Sequence, residues 1–316
     1  MSKLRLTFYG DDFTGSTDAL EQLAVAGVRT VLFIEPPAPE LLKKYPGLQA
    51  VGVAGRTRSL GPAALERELR PALRKLKALG APHVHYKVCS TFDSSPATGS
   101  IGRVIDAATN IFKAPFVPLL VAAPPLGRHC VFGNLFARLG IGSDAAIHRL
   151  DRHPSASRHP VTPMREADLR LHLARQTKQP IGLFDVLQLS LPPADARSAL
   201  KGILKAGARI VLFDALHTEQ LQRVGELIDA YASRQRPLFS VGSSGIEMAL
   251  GAHWAAAGRL AGGSNRWGER PREPREVATE RLARTLAPPA PLLVASGSCS
   301  PVTAAQIAWA LKHISP

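Results

Sequence analysis

The sequence predicts an α/β fold: a mostly parallel sheet with helices on both faces, plus the start of a second α/β domain. The first observation is the alternation of apolar and polar residues over positions 4–9, which is the period of a β-strand. The second is the helical spacing of Leu20, Leu23 and Ala24 directly after it, ending near Gly27. The third is that strand and helix patterns alternate through most of the chain, which is typical of a parallel sheet.

The remaining elements follow in the same rhythm. Apolar runs predict further strands at residues 30–34, 49–54, 83–87, 116–123, 181–186, 209–214, 238–241 and 292–295. Helical patterns cover residues 63–78, 101–112, 165–176, 194–205, 218–233, 246–256 and 301–312. We expect Pro71 to kink or split the first of these helices. Residues 131–163, rich in His, Arg, Pro and Ser, break the alternation and predict a long irregular segment.

Composition suggests two domains of unequal length. Residues 1–260 carry the regular alternation, and residues 261–291 are charged and rich in proline, as expected of a linker. Residues 292–316 hold one strand and one helix. Because two elements cannot bury a core of their own, we expect this second domain to be cut off soon after it begins.

Charge and cysteine usage narrow the class of protein. The 39 Lys and Arg residues outnumber the 25 Asp and Glu residues, giving a net charge of +14. The basic residues are scattered and only 6% of residues are aromatic, so we expect no nucleic-acid partner; genome composition or an anionic substrate explains the charge. There is no long apolar run or signal peptide, so we expect no membrane partner. Three distant cysteines are typical of a reducing cytoplasm.

The turn between the first strand and the first helix carries the densest group of polar side chains. Asp11 and Asp12 precede the helix, and carboxylates there can accept hydrogen bonds from hydroxyls and take a proton. In an open parallel sheet, such turns lie at the carboxyl ends of strands, where ligands bind. A helix cap formed by Thr14 or Ser16 is the alternative, but it does not account for two adjacent carboxylates. We therefore favour a polyol-binding turn.

Two other strand ends carry candidate binding groups. Arg56 and Arg58 follow the third strand, and arginine donates two parallel hydrogen bonds to a carboxylate; a solvated basic loop is the alternative. Lys87 ends the next strand and is followed by the hydroxyls of Ser90 and Thr91, which suit an acid or phosphate oxygen. A loop capped by its own side chains remains the alternative there.

Other candidates give weaker signals. The spacing of His148, His153 and His159 matches no standard zinc pattern, so no metal site is predicted, and Cys89 fits a structural thiol better than a nucleophile. Two Gly-Ser turns, at residues 242–245 and 296–300, have the strand–turn–helix form of an anion site. Neither is a Walker A sequence.

Taken together, these motifs resemble the four-carbon acid sugar kinase family. The matching stretches are residues 9–24, 56–59, 87–103, 152–169, 239–247 and 296–306, so the resemblance spans essentially the whole chain. It implies phosphorylation of a terminal hydroxyl of a small sugar acid, such as threonate, erythronate or 3-oxo-tetronate, with ATP and Mg²⁺. It also implies that the N-terminal domain binds the acid and the C-terminal domain binds the nucleotide.

The resemblance and the placement of the motifs assign expected roles. The expected sugar-acid ligands are Asp11, Arg56, Arg58, Lys87, Ser90 and Thr91, with Asp12 as the group that takes or aligns the proton of the attacking hydroxyl. The expected nucleotide contacts are Gly242, Ser243, Ser296, Gly297, Ser298 and Ser300. The choice of Asp12 over Asp11 stays open, as does a homo-oligomer.

Two departures from the family pattern bear on function. Residues 89–96 differ from the Asp-Ser-Thr-Leu-Arg-Gly motif of other branches of the family. This difference predicts that the substrate is a different acid, and a branched 3-oxo sugar acid is one candidate. The later glycine-rich nucleotide segments do not occur in the sequence, so we expect weak ATP binding and slow turnover. A non-catalytic sugar-acid-binding protein is the alternative function.

Overall fold

The computed structural model describes residues 4–140 and 144–260, all within one compact unit. Its strands are β1 Leu6–Gly10, β2 Thr30–Phe33, β3 Ala50–Ala54, β4 His83–Lys87, β5 Val117–Leu120, β6 Arg128–Val131, β7 Asn134–Arg138, β8 Ile147–Arg149, β9 Ile181–Phe184, β10 Ile210–Phe213 and β11 Leu238–Gly242. Its α-helices are α1 Phe13–Val25, α2 Pro39–Leu42, α3 Pro62–Ala78, α4 Ile101–Thr109, α5 Leu169–Ala174, α6 Val186–Leu189, α7 Pro193–Lys205, α8 Gln220–Asp229 and α9 Gly245–Ala256. The predicted linker, the predicted second domain and the candidates Ser296, Gly297, Ser298 and Ser300 lie outside the described residues.

The main sheet confirms the predicted α/β class. Its eight strands lie in the order β2-β3-β1-β4-β11-β5-β10-β9, and each of their pairings is parallel. The central strands are buried on both faces because helices cover both, and Leu6, Thr7 and Phe8, on alternate faces of β1, are each fully buried. Gly10 lies level with Ala54 of β3 and Lys87 of β4, so three strand ends meet at one point of the carboxyl edge.

The helices form two layers that separate at β1. The connection from β1 runs outward to β2, whereas those from β3 and β4 run the other way across the sheet. Right-handed crossovers then place α1 on one face and α3 and α4 on the other, and α1 contacts α9 while α3 contacts α4. Such a reversal opens a crevice at the carboxyl ends of the strands, which is where a parallel sheet binds its ligands.

Two sequence predictions need correction. The segment at residues 131–163 is not wholly irregular: β6, β7 and β8 form a small antiparallel sheet, with Phe132 and Gly133 at φ 49° and 82° in the first hairpin turn. A Phe-Gly pair is a poor hairpin signal compared with Asn-Gly, so the sequence pattern does not predict this turn. Pro71 does not split its helix, since α3 is continuous and Pro71 lies on its exposed side, where water can reach the carbonyl that the proline cannot bond.

Candidate functional site

The turn after β1 is shaped by Asp12, which is the N-cap of α1. Its Oδ1 accepts a hydrogen bond from the backbone N–H of Gly15 at 2.7 Å. Neither Thr14 nor Ser16, the two positions considered for a cap in the alternative to a binding turn, is the N-cap. The Ser16 hydroxyl instead donates to the carbonyl of Asp12 at 2.6 Å. A Cβ on Gly10 would lie 1.9 Å from the Ser16 hydroxyl, so the tight turn requires glycine there.

Arg58 joins the two adjacent carboxylates of this turn. Its Nε and Nη2 donate to Oδ2 and Oδ1 of Asp11 at 3.0 and 2.7 Å, and its Nη1 lies 2.7 Å from Oδ2 of Asp12. The backbone N–H of Arg58 also donates to the carbonyl of Asp11 at 3.0 Å. A bidentate pair with a third contact fixes the guanidinium plane. The loop after β3 and the turn after β1 are thus locked together.

The electrostatics of this cluster are those of a buried acid held by a cation. Asp11 is 2% exposed, and its burial raises its pKa, with Arg58 opposing the shift. Burial by itself would lower the pKa of Arg58, but Asp11 outweighs it and the pKa of Arg58 is raised. Arg58 therefore stays charged and holds both carboxylates at once, each through different nitrogens.

Lys87 adds a second cation beneath the turn. It is 1% exposed, and its Nζ lies 3.1 Å from Oδ2 of Asp18 and 3.1 Å from the carbonyl of Val88. A Cβ on Gly15 would lie 2.6 Å from Oδ1 of Asp12 and 3.1 Å from Nζ of Lys87. The absence of a side chain at Gly15 is what lets the carboxylate and the ammonium approach from either side.

A cleft of about 290 Å³ opens against this cluster. The residues that line it are Asp11, Asp12, Phe13, Gly55, Arg56, Arg58, Ser59, His159, Val161 and Thr162. Nδ1 of His159 accepts hydrogen bonds from the backbone N–H groups of Thr162 at 3.0 Å and Val161 at 3.4 Å, which shapes this wall. The expected ligands did not include Phe13, His159, Val161 or Thr162. The signals for them were the family-like stretches at residues 9–24 and 152–169 and the repeated His-Pro pairs.

The other predicted ligands are placed less centrally. Arg56 lines the cleft with a side chain that is 74% exposed, and its Nε lies 3.3 Å from Oε2 of Glu68. Within the described part of the chain, Lys87, Ser90 and Thr91 are not among the residues that line the cleft. The Thr91 hydroxyl instead contacts the Cys89 thiol at 2.9 Å, and burial raises the pKa of that thiol to about 11. Cys89 is therefore protonated near neutral pH, as a structural thiol should be.

The turn after β11 is closed. Gly242 and Ser243 are buried, and the N–H of Ser243 is used by the carbonyl of Leu120 at 3.0 Å. The N–H of Gly245 is used by the Ser243 hydroxyl at 3.0 Å. Phosphate groups need free N–H donors at a helix start, and this turn presents none on the surface. A nucleotide contact at Gly242 and Ser243 stays a prediction that would require the turn to open.

Neither a metal cluster nor a membrane span is found within the described ranges. No group of three or more His, Cys, Asp or Glu side chains there could hold a metal ion. No helix in the same residues is long and apolar enough to cross a membrane.

Comparison with known proteins gives a consistent result. Residues 6–250 match the family model described as a sugar-binding N-terminal domain. The chain is 47% identical over 98% of its length to a 3-oxo-isoapionate kinase from Paraburkholderia graminis, and 34% identical over 97% to a 3-oxo-tetronate kinase from Methylobacterium radiotolerans. It covers 61% and 65% of those two proteins.

The fold has a counterpart among solved structures as well. A protein from Salmonella typhimurium LT2 superimposes with a TM-score of 0.70 at 30% sequence identity. The similarity covers 81% of this chain and 57% of that one.

Proposed function

Because the chain belongs to the four-carbon acid sugar kinase family, we propose that its described domain binds a small sugar acid and that the protein phosphorylates a terminal hydroxyl of that acid. The proposal rests on one observation, the cluster of Asp11, Asp12 and Arg58 at a cleft on the carboxyl edge of the sheet. The chain spans 61% of the Paraburkholderia relative, so the activity of a whole kinase is part of the proposal.

Asp12 is the proposed proton acceptor or aligning group for the attacking hydroxyl. Its Oδ1 accepts one hydrogen bond, from Gly15, and its Oδ2 forms an ion pair with Arg58, and a carboxylate oxygen can accept two hydrogen bonds. Both aspartates line the cleft, but Asp11 is buried and both of its oxygens accept hydrogen bonds from Arg58. A positioned carboxylate of this kind suits phosphoryl transfer, where alignment and charge placement carry most of the catalysis.

Arg56 and Arg58 are the proposed partners of the acid's polar groups. Arg58 has five side-chain N–H donors; Asp11 accepts two of them and Asp12 lies 2.7 Å from Nη1, so at least two remain for a ligand. Arg56 is exposed at the rim and has only a long contact with Glu68, so it is available to a carboxylate. Lys87, with Ser90 and Thr91 on the following loop, is proposed to support the polyol from behind.

ATP and Mg²⁺ are proposed for the whole protein and not for the described cleft. The closed turn at Gly242 and Ser243 does not fit a phosphate group, and no metal cluster occurs in the described ranges. The contribution of the described residues is therefore to bind and orient the acid. The relatives' names favour a 3-oxo sugar acid as the substrate.

Calorimetry with the sugar acid and with its uncharged lactone tests the binding half of this proposal. We expect the acid to bind more tightly, and Arg56→Ala to weaken its binding by about 1.5–3 kcal/mol, the range of a hydrogen bond to a charged group. Equal binding of acid and lactone by the unmodified chain would refute a carboxylate contact.

An ADP-release assay with threonate, erythronate and 3-oxo-tetronate tests the catalytic half. The assay compares the 316-residue chain with the same chain joined to the remaining part of the Paraburkholderia relative. Acid binding without ADP release from either form would favour the second candidate, a non-catalytic sugar-acid-binding protein, which the closed turn at Gly242 also favours.

A further inference from the structure

Arg128 is a buried cation whose side chain is held by backbone carbonyls alone. It begins β6 and is 7% exposed. Its Nη1 donates to the carbonyls of Leu126 at 3.1 Å, Gly127 at 3.3 Å and Arg138 at 3.1 Å. These contacts orient the guanidinium but bring no negative charge to it.

The opposite edge of the same guanidinium is unused. Nε of Arg128 is buried and has no hydrogen-bond partner, and Arg128 forms no ion pair with any residue in the described ranges. A buried charge without a partner is costly, since desolvation is not repaid. Lys87, the other buried Lys or Arg side chain of the described residues, has the carboxylate of Asp18 at 3.1 Å.

Three other arginines show what the unused edge normally does. Arg58, Arg149 and Arg170 each use Nε and Nη2 together to hold both oxygens of a carboxylate. In Arg128 the bonded nitrogen is Nη1, so the Nε and Nη2 edge remains for a ligand. The planar fork matches a carboxylate or a phosphate equally well.

The position of Arg128 connects it to the carboxyl edge of the sheet. Arg128 exchanges backbone hydrogen bonds with Ala123 at 2.9 and 3.2 Å, three residues after β5 ends at Leu120, so it lies beyond the carboxyl end of that strand. Burial lowers the pKa of Arg128, and the carboxylate of Asp93, on the loop after β4, only partly opposes that shift. Asp93 forms no ion pair with Arg128, so it does not neutralise the buried guanidinium.

We propose that Arg128 forms an oxyanion subsite at the carboxyl edge of the sheet, beyond β5, through the free Nε and Nη2 edge of its guanidinium. The oxyanion is either the carboxylate of the sugar acid, an assignment that rests on the proposed function, or free inorganic phosphate. Arg128 would then take the acid group while Asp12 and Arg58 face the hydroxyls. Arg56, at the outer rim, would assist.

The test compares the unmodified chain, Arg128→Gln and the control Arg149→Gln, which removes the same charge from a surface ion pair of the same small sheet. Calorimetry and thermal shift use three probes at equal ionic strength: sodium phosphate, erythronate and the neutral polyol erythritol. We expect Arg128→Gln to weaken the binding of phosphate, erythronate or both by about tenfold or more, and Arg149→Gln to leave it unchanged. Erythritol should not respond to either variant.

The pattern of losses separates the two sources of the anion. Loss of erythronate binding assigns the sugar-acid carboxylate, and loss of phosphate binding alone assigns free phosphate. Phosphate binding that needs Arg128 in a chain that binds no sugar acid would support the subsite and refute the proposed function. Unchanged binding of both anions by Arg128→Gln, or no binding of either by the unmodified chain, would overturn the subsite.

A folding defect in Arg128→Gln would not leave the question open. Arg128→Lys keeps the charge and can reach a backbone carbonyl, but it presents a single ammonium in place of the two-donor edge. We expect it to fold and to bind the responsive anion several-fold more weakly than the unmodified chain. Full affinity in a folded Arg128→Lys protein would contradict the bidentate subsite.

Discussion

Two turns of the same sheet invite comparison because both flank Lys87. Gly10 of β1 and Gly242 of β11 are each paired with Lys87 of β4, and each glycine begins a polar turn that leads into a helix. The turn after β1 opens on a cleft and carries Asp12 on its wall. The turn after β11 is buried, with Ser243 wholly inaccessible to solvent.

The two turns differ in the groups that the neighbouring strand places against them. Beside β1, the loop after β3 brings Arg58, a cation that holds two carboxylates at the surface of a cleft. Beside β11, the backbone at the end of β5 packs directly against the turn. A Cβ on Gly242 would lie 2.0 Å from the carbonyl oxygen of Leu120, and a Cβ on Gly245 would lie 2.1 Å from the carbonyl oxygen of Ala122. Two similar local sequences thus become a binding turn and a packing turn.

The largest effect on this contrast should come from removing Arg58. In Arg58→Met the buried carboxylate of Asp11 loses its partner, and we expect the free energy of unfolding to fall by about 3–5 kcal/mol. Urea unfolding measures it, with Arg149→Met as the control for loss of a surface arginine. A loss no larger than in the control would mean that the open turn does not depend on its ion pair.

The pH dependence of Arg58→Met sharpens the same point. Burial already raises the pKa of Asp11, and loss of the guanidinium should raise it further. A raised carboxyl pKa means that stability is fully present below the unfolded pKa of about 3.9 and is lost as pH rises through the folded pKa. The deficit of the variant should therefore shrink towards acid pH. A deficit that is constant from acid to neutral pH would contradict the role of Asp11.

The next effect is on catalysis at the open turn. Asn caps a helix about as well as Asp, so Asp12→Asn should keep the cap on Gly15 and lose only the part-exposed ion pair with Arg58, while kcat falls about 100-fold or more. Asp12→Ala should lose both the activity and about 1 kcal/mol of stability. ADP release and thermal unfolding of the chain joined to the rest of the Paraburkholderia relative give both readouts. Near-normal kcat in Asp12→Asn would mean that Asp12 serves only as a helix cap, and Asp11 would become the next candidate for the proton acceptor.

At the closed turn we expect a moderate loss of stability and no change in ligand binding. Gly242→Ala must push a methyl group against the Leu120 carbonyl, at a cost of about 1–3 kcal/mol. Gly202→Ala in α7 is the matched control, since a Cβ there meets nothing within 4 Å. Calorimetry with the sugar acid should give the same affinity for both variants. Selective loss of ligand affinity in Gly242→Ala would show that the closed turn opens for function.

The smallest effect should come from Glu68. Glu68→Gln removes the exposed pair with Arg56, which is worth less than about 1 kcal/mol, and Gln can still accept the hydrogen bond from Tyr9. Urea unfolding should scarcely change, while the freed Arg56 should bind the acid as well as before or better. A clear drop in acid affinity would indicate that Glu68 positions Arg56 for its ligand.

Local patterns in the sequence were sufficient for the sheet, most of its helices and the position of the candidate turn. Alternation of period two and helical spacing are properties of a few consecutive residues, so they are readable without knowing the neighbours. The same holds for the strand ends: Asp11, Arg58 and Lys87 each follow or end an apolar run, and parallel strands end at one edge.

Tertiary structure alone decided which polar groups meet. Arg58 pairs with Asp11 across 47 positions. His159, Val161 and Thr162 line the same cleft, and the Gly242 turn is closed by β5. Arg128, which no sequence pattern singled out, is buried with half of its guanidinium unused. Contacts of this kind depend on strand order, register and packing between distant segments. A charged residue carries the same local sequence signal whether its partner is a neighbouring carboxylate, a backbone carbonyl or a ligand.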